Sequence, residues 1–306
     1  MHMCTARCRA AALLFVVVTI LCATFTPAVV CAQFLMMPDS TNNRLVLFDP
    51  NNGALVNSNF FGLAAGTPVH ALQVGNEIWV SEQIGDRISR WDFNGSQLAP
   101  ISGGMDNIRG MTLLGNNVLL TNSGTGNGAP GRAVIRFDTA GNNLGFFPTP
   151  ASSGFDILPH LGDLLVSSDT ANDDVHRYST AGASLGTFHN STALNFGEQM
   201  DHAPNGDVLV AGFSTNNIAR LDPNTGALIG STPASGARGL WVLGNGNFLW
   251  TNGSGAHVFD VTTQTSAQVY TGGGRFIDAL VIPEPASGAV LLGSMVTLLG
   301  IRRKRA

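Results

Sequence analysis

One pattern returns six times along this chain. A large apolar residue precedes Asp or Ser, a turn containing Gly follows, and Leu comes shortly after. The pairs are Phe48-Asp49, Trp91-Asp92, Phe137-Asp138, Tyr178-Ser179, Leu221-Asp222 and Phe259-Asp260. Gly53, Gly95, Gly141, Gly182 and Gly226 sit in the turns, and the sixth copy has no Gly. The steps between copies are 43, 46, 41, 43 and 38 residues. In the second copy, four short strands fit: His70–Val74, Glu77–Ser81, Arg87–Phe93 and Gln97–Ile101. A period in the low forties built from four short strands is the mark of a propeller blade.

Apolar runs such as Ile78-Trp79-Val80, Val118-Leu119-Leu120, Leu164-Leu165-Val166 and Val208-Leu209-Val210 suit a second strand buried between blades. The Asp after the large residue is placed to bond the turn backbone. The first copy starts at Phe34-Leu35-Met36, which matches a second strand, so its first strand is missing. A spare strand, Arg275 to Ile282, stands at the far end. Pairing the two removes the free sheet edges. The reading is an all-β, six-bladed β-propeller over residues 33–282, closed by the C-terminal strand.

Charged residues are 12% of the chain, about half the usual share. Disorder needs high charge and low hydrophobicity, so it is excluded. The net charge of −4 argues against nucleic acid as a partner, because phosphate binding draws on Lys and Arg.

Both ends read as sorting segments. Arg7 and Arg9 precede an apolar run from Ala10 to Ala23, and Val30-Cys31-Ala32 supplies small residues for a cut after Ala32. Residues 1–32 are a secretory signal peptide; a lipoprotein reading would instead place Cys31 at the new N-terminus. Cys4, Cys8, Cys22 and Cys31 all fall within this segment, so the first reading leaves a mature chain without thiol chemistry. At the other end, Pro283-Glu284-Pro285 leads into an apolar helix, 286–301, and then Arg302-Arg303-Lys304-Arg305. Lys304 is the only lysine in the chain.

This order of Pro-Glu-Pro, short membrane segment and basic end resembles the PEP-CTERM sorting signal, over residues 283–306. The resemblance implies a processing partner, an exosortase, in a Gram-negative bacterium that makes extracellular polysaccharide. It implies an exported protein that passes through an inner-membrane intermediate, held by the C-terminal helix, to the envelope or extracellular matrix. The repeats resemble NHL-type six-bladed propellers. Those folds host binding proteins, lactonases and lyases, so the fold alone does not give the activity. A binding or scaffold module, with polysaccharide or another envelope protein as partner, is the expected function. A metal-dependent enzyme of the lactonase or streptogramin-lyase type is the alternative.

Candidate ligand-binding residues come from the start of each first strand, which in such propellers faces the central channel. They are His70, Arg109, Asp156, Glu198 (beside Gln199), Arg238 and Arg275. Between Phe34 and Ile282 there are ten Arg and no Lys against 19 acids. Three Arg at one mouth would therefore make a local positive field suited to carboxylates. The competing reading pairs them with Asp106, Asp201 and Asp278 as braces of the ring. Glu198, Asp201 and His202 suggest a metal, but no full ligand set can be matched. Asp169, Asn172, Asp173 and Asp174 form a loop of oxygen donors that calcium could use. No resident cofactor and no catalytic residue are expected.

Gly182-Ala-Ser184-Leu-Gly186 matches a nucleophile elbow, and Gly126-Asn-Gly128-Ala-Pro-Gly131 matches a dinucleotide fingerprint. Both fall where a hairpin or loop is expected rather than a strand leading into a helix, so neither is assigned chemistry. The tail makes a direct prediction. Replacing Pro283-Glu284-Pro285 with Ala should leave an unprocessed membrane form on an immunoblot, and unchanged processing would remove the exosortase reading.

Overall fold

The computed structural model describes residues 31–149, 153–169 and 174–283. The signal peptide, the helix 286–301 and the basic tail lie outside the described residues. Among those described, no helix is long and apolar enough to cross a membrane. Residues Ala32–Ile282 form one compact unit.

That unit is a six-bladed propeller of four-stranded sheets. The first sheet holds β1 (Cys31–Asp39), β2 (Arg44–Phe48) and β3 (Leu55–Gly62). The second holds β4 (Pro68–Val74), β5 (Glu77–Glu82), β6 (Arg87–Asp92) and β7 (Gln97–Ser102). The third holds β8 (Ile108–Leu114), β9 (Asn117–Asn122), β10 (Ala133–Asp138) and β11 (Asn143–Pro148). The fourth holds β12 (Gly154–His160), β13 (Asp163–Ser168), β14 (Val175–Ser179) and β15 (Ser184–His189). The fifth holds β16 (Gly197–His202), β17 (Val208–Gly212), β18 (Asn217–Leu221) and β19 (Leu228–Pro233). The sixth holds β20 (Gly239–Val242), β21 (Phe248–Asn252), β22 (Gly255–Asp260) and β23 (Thr265–Thr271). The last strand, β24 (Asp278–Pro283), lies beside β1 and gives the first sheet its innermost strand.

The repeat places the turns. Asp92 Oδ1 accepts the Asn94 and Ser96 amides at 2.9 and 2.8 Å, and Asp222 Oδ1 accepts Asn224 and Thr225 at 2.9 and 2.8 Å. These aspartates are structural. In the sixth copy Gln264 takes the left-handed turn position, at φ 56°, and its amide bonds the Asp260 carbonyl as Gly53 bonds that of Asp49. Ser184 opens β15 at a hairpin, and Gly126–Gly128 is a short 3-10 turn between β9 and β10. Neither elbow nor dinucleotide context is present there.

Burial falls from axis to rim. The second strand β5 is almost wholly buried, while the outer strand β7 is mostly exposed. The core is divided into wedges between neighbouring blades: Leu72 and Trp79 meet Met111 and Val118, and Leu209 and Ala211 meet Leu240 and Trp250.

A ring of hydrogen bonds ties the innermost strands across all six blade joints. Ser81 Oγ accepts the His70 amide and donates to the Arg109 carbonyl of the next blade, at 3.1 and 2.5 Å. Thr121 Oγ1 reaches the Phe155 carbonyl at 3.1 Å. Ser167 Oγ accepts from Asp156 and donates to Glu198 at 3.0 and 2.6 Å. Thr251 Oγ1 accepts from Gly239 and donates to Arg275 at 2.8 and 2.7 Å. Ala211 stands at the equivalent place in the fifth blade without a hydroxyl. There the Gln199 amide bonds the Arg238 carbonyl directly, at 3.0 Å, and at the sixth joint Phe276 bonds Val69 at 3.1 Å.

Replacing one hydroxyl would leave a buried amide and a buried carbonyl unmet. Ser167→Ala should cost about 1–3 kcal/mol in urea unfolding. A cost below about 0.5 kcal/mol would show that the ring is decorative.

Candidate functional site: the arginine mouth and the axial cavity

The ring fixes which residues are equivalent. Val69, Arg109, Phe155, Glu198, Arg238 and Arg275 offer the carbonyls, and His70, Gly110, Asp156, Gln199, Gly239 and Phe276 follow them. His70 and Asp156 are thus one residue further along their strands than the other four candidates. Successive side chains point to opposite faces of a strand. The six candidates therefore divide into two groups.

The first group is Arg109, Arg238, Arg275 and Glu198. Arg109 is 7% exposed. Its Nη1 donates to Ser123 Oγ and to the Gly154 carbonyl at 3.0 and 3.2 Å, and its guanidinium lies 3.8 Å from the Phe155 ring centre. Arg275 Nε donates to Ser40 Oγ at 2.9 Å. Arg238 lies 5.5 Å over the Phe213 ring. The Nε atoms of Arg109 and Arg238 are buried without a hydrogen-bond partner. Glu198 is 4% exposed, and its carboxylate makes no hydrogen bond among the described residues.

The expected braces do not form. Among the described residues no carboxylate comes within 4.0 Å of these three guanidinium groups. Asp106 instead accepts the Gly126 amide at 2.6 Å, and Asp201 and Asp278 line a different space. Burial pushes the Glu198 carboxyl up to about 7 against the pull of Arg238, Arg275 and Arg109. Burial, with Arg238 close by, brings Arg275 down to about 10.

Sequence reasoning missed the aromatic side of this mouth. Phe155 meets Phe196 at 4.8 Å between ring centres, and Phe196 meets Phe213 at 5.3 Å. The three rings join Arg109 to Arg238. Phe196 has φ 58°, where the matching residues Thr67, Asn107 and Gly236 also turn left-handed. Thr, Asn and Gly are smaller occupants; a bulky aromatic there is a strained exception.

The second group lies further along the axis. Residues from all six innermost segments enclose a cavity of about 130 Å³, among them His70, Asp156, Asp201, Trp241 and Asp278. Asp156 Oδ2 accepts the Met200 amide at 2.8 Å, and Gln199 Oε1 accepts those of Leu240 and Ile277 at 3.0 and 2.9 Å. Burial raises Asp156 to about 6. Burial, then the negative Asp278 and Asp156, raises Asp201 to about 7.

His70 Nδ1 accepts the Met111 amide at 2.9 Å, so in the neutral ring the proton is on Nε2. Nε2 sits 3.3 Å from Asp278 Oδ2, off the line of a hydrogen bond. A protonated nitrogen cannot ligate a metal. His202 is held by His160 at 2.9 Å, and His160 Nε2 donates to the Pro223 carbonyl at 2.6 Å. Among the described residues no three His, Cys, Asp or Glu side chains converge as a metal site. In the acidic loop, Asn172 and Asp173 lie outside the described residues, and Asp174 Oδ2 accepts the Ser191 amide at 2.8 Å.

No protein-family model and no curated protein matches the chain. Solved structures do resemble it. A chain of the nidogen/laminin complex superposes with a TM-score of 0.66 at 12% identity, covering 81% of this chain and 98% of that one. A protein of unknown function from Bacteroides caccae gives 0.61 at 18%, covering 82% and 99%. Virginiamycin B lyase from Staphylococcus aureus gives 0.54 at 12%, covering 74% and 76%. Likeness at such identities establishes the propeller fold alone.

The cavity acids have folded values above their unfolded ones, so folding binds protons. Their favourable contribution is full in acid and is lost as pH rises from about 4 through 6 and 7. The melting temperature should fall by several degrees between pH 5 and 8. Asp201→Asn should make that slope shallower; an identical slope would contradict the assignment.

Proposed function

We propose that the protein is an exported binding module that captures an acidic, ring-bearing ligand at the arginine mouth. The observation that carries this reading is the charge left unpaired among the described residues: three guanidinium groups and one carboxylate share a largely buried mouth without closing on one another. A brace would have collapsed into ion pairs. A binding site holds its groups apart, oriented and unsatisfied, until a ligand arrives.

Arginine suits a carboxylate because its fork donates two parallel hydrogen bonds. The arc of Phe155, Phe196 and Phe213 offers a face for the flat or apolar body carrying that carboxylate. The sorting tail would bring such a module to the envelope or matrix, where acidic groups on polysaccharide or on another envelope protein are its natural partners. The axial cavity does not favour the metal-dependent alternative, since His70 offers a donor hydrogen rather than a lone pair.

The test uses benzoate as probe and benzamide as its uncharged match. Benzoate should bind and benzamide should not. Arg238→Gln should weaken benzoate at least about tenfold with little change in melting temperature, because among the described residues that side chain has no ion pair to lose. A large loss of stability with benzoate binding intact would return the arginines to a bracing role.

A further inference from the structure

We propose that the arginine mouth takes up its anion together with one proton, and that Glu198 is the group that receives it. This inference rests on the binding reading above and adds to it the form in which the ligand enters: as an acid, not as a bare anion.

The charges that face Glu198 come from three elements. Arg109 stands in β8, Arg238 just before β20 and Arg275 just before β24. A fourth charge, Asp169 after β13, acts on Arg109 more strongly than Glu198 does. Among the described residues Glu198 is thus the one acid that all three cations share, and it comes within 4.0 Å of none of them. The Glu198 residue is also buried, and its carboxylate makes no hydrogen bond among the described residues.

An arriving carboxylate or sulfate would seek the same three forks and would stand beside Glu198. Two anions in one buried space repel, and like charges at short range raise the proton affinity of the weaker acid. Glu198 already sits near neutrality, at about 7. A small further push is enough to protonate it. The three cations cannot yield, because guanidinium groups keep their protons at this pH. Protonation of Glu198 therefore relieves the repulsion and leaves its new O–H free to donate to the ligand oxygen. The charge balance is simple: one carboxylate and one proton enter with no change in the net charge of the mouth, whereas sulfate with one proton leaves it one charge more negative.

The cavity acids Asp156 and Asp201 titrate in the same range, but they lie along the axis from the mouth among a different set of neighbours. They supply a background that is the same with and without ligand. The ligand-linked proton is separable from it.

The experiment is calorimetry of benzoate and of sulfate binding to the full chain, since neither probe titrates between pH 6 and 8. Each titration is run in two buffers of different ionisation heat, which counts the protons taken up. The expected result is uptake approaching one proton per anion near pH 8, and binding about tenfold tighter at pH 6 than at pH 8. Glu198→Gln should bind at pH 8 about as tightly as the wild type does at pH 6, with no proton uptake and no slope. Anion binding without proton uptake in the wild-type chain would overturn the inference and leave the binding reading standing. So would a Glu198→Gln protein that keeps the wild-type slope. If neither anion binds at any pH, the binding reading itself fails. Should Glu198→Gln not fold, the proton count on the wild-type chain decides alone.

Discussion

The fold depends on the hydrogen bonds that cross each blade joint at the axis. Apolar wedges hold the blades together but are not directional, and a wedge tolerates sliding. The hydroxyls of Ser81, Thr121, Ser167 and Thr251 remove that freedom, because each bonds the innermost strand of the following blade. They set how far each strand stands along the axis relative to its neighbours. The depth of every channel-facing side chain follows from that. Arg109, Glu198, Arg238 and Arg275 meet at one level because the carbonyls of these same residues are the ones gripped.

The axis is consequently polarised. Cations gather where the innermost strands begin, and Asp156, Asp201 and Asp278 gather further along. Each group carries an electrostatic cost. Asp156 and Asp201 carry it as raised proton affinity, and Arg109 and Arg238 carry it as buried Nε atoms without partners among the described residues. A chain selected only for a stable ring would have filled these positions with apolar side chains, as Phe276 and Val69 show at the sixth joint. The charge at the axis is what the binding proposal draws on, while the turn aspartates at the rim are engaged in holding the backbone.

The repeat made the architecture readable. Six copies, a buried second strand in each and a missing first strand in the first copy pointed to a ring closed by the last segment, and β24 beside β1 is that closure. The register of the channel-facing residues is less legible. The sequence offers a polar residue near the start of most first strands, but these strands have no apolar rhythm to fix their phase. His70 and Asp156 were one position out, and a single step in a pleated strand turns a side chain to the other face. The hydroxyl ending each second-strand run was the better marker: Ser81 after Trp79-Val80, Thr121 after Leu119-Leu120, Ser167 after Leu165-Val166. The aromatic arc had no such signal. Phe155 lies in β12, Phe196 just before β16 and Phe213 just after β17, and the packing of the fourth blade on the fifth brings them together.

The order of synthesis gives the closing strand a particular significance. The first sheet begins with three strands and cannot be completed until residues 278–283 emerge, some 220 positions after β3. Pairing over such a separation is slow and comes last in assembly. The peptide that seals the circle is immediately followed by the segment read as an address label. A protease acting at Pro283 would cut beside the seam of the ring, so the boundary between delivery and integrity is one residue wide. Trimming that strays inward by a few positions would release an open ring with an unpaired β1.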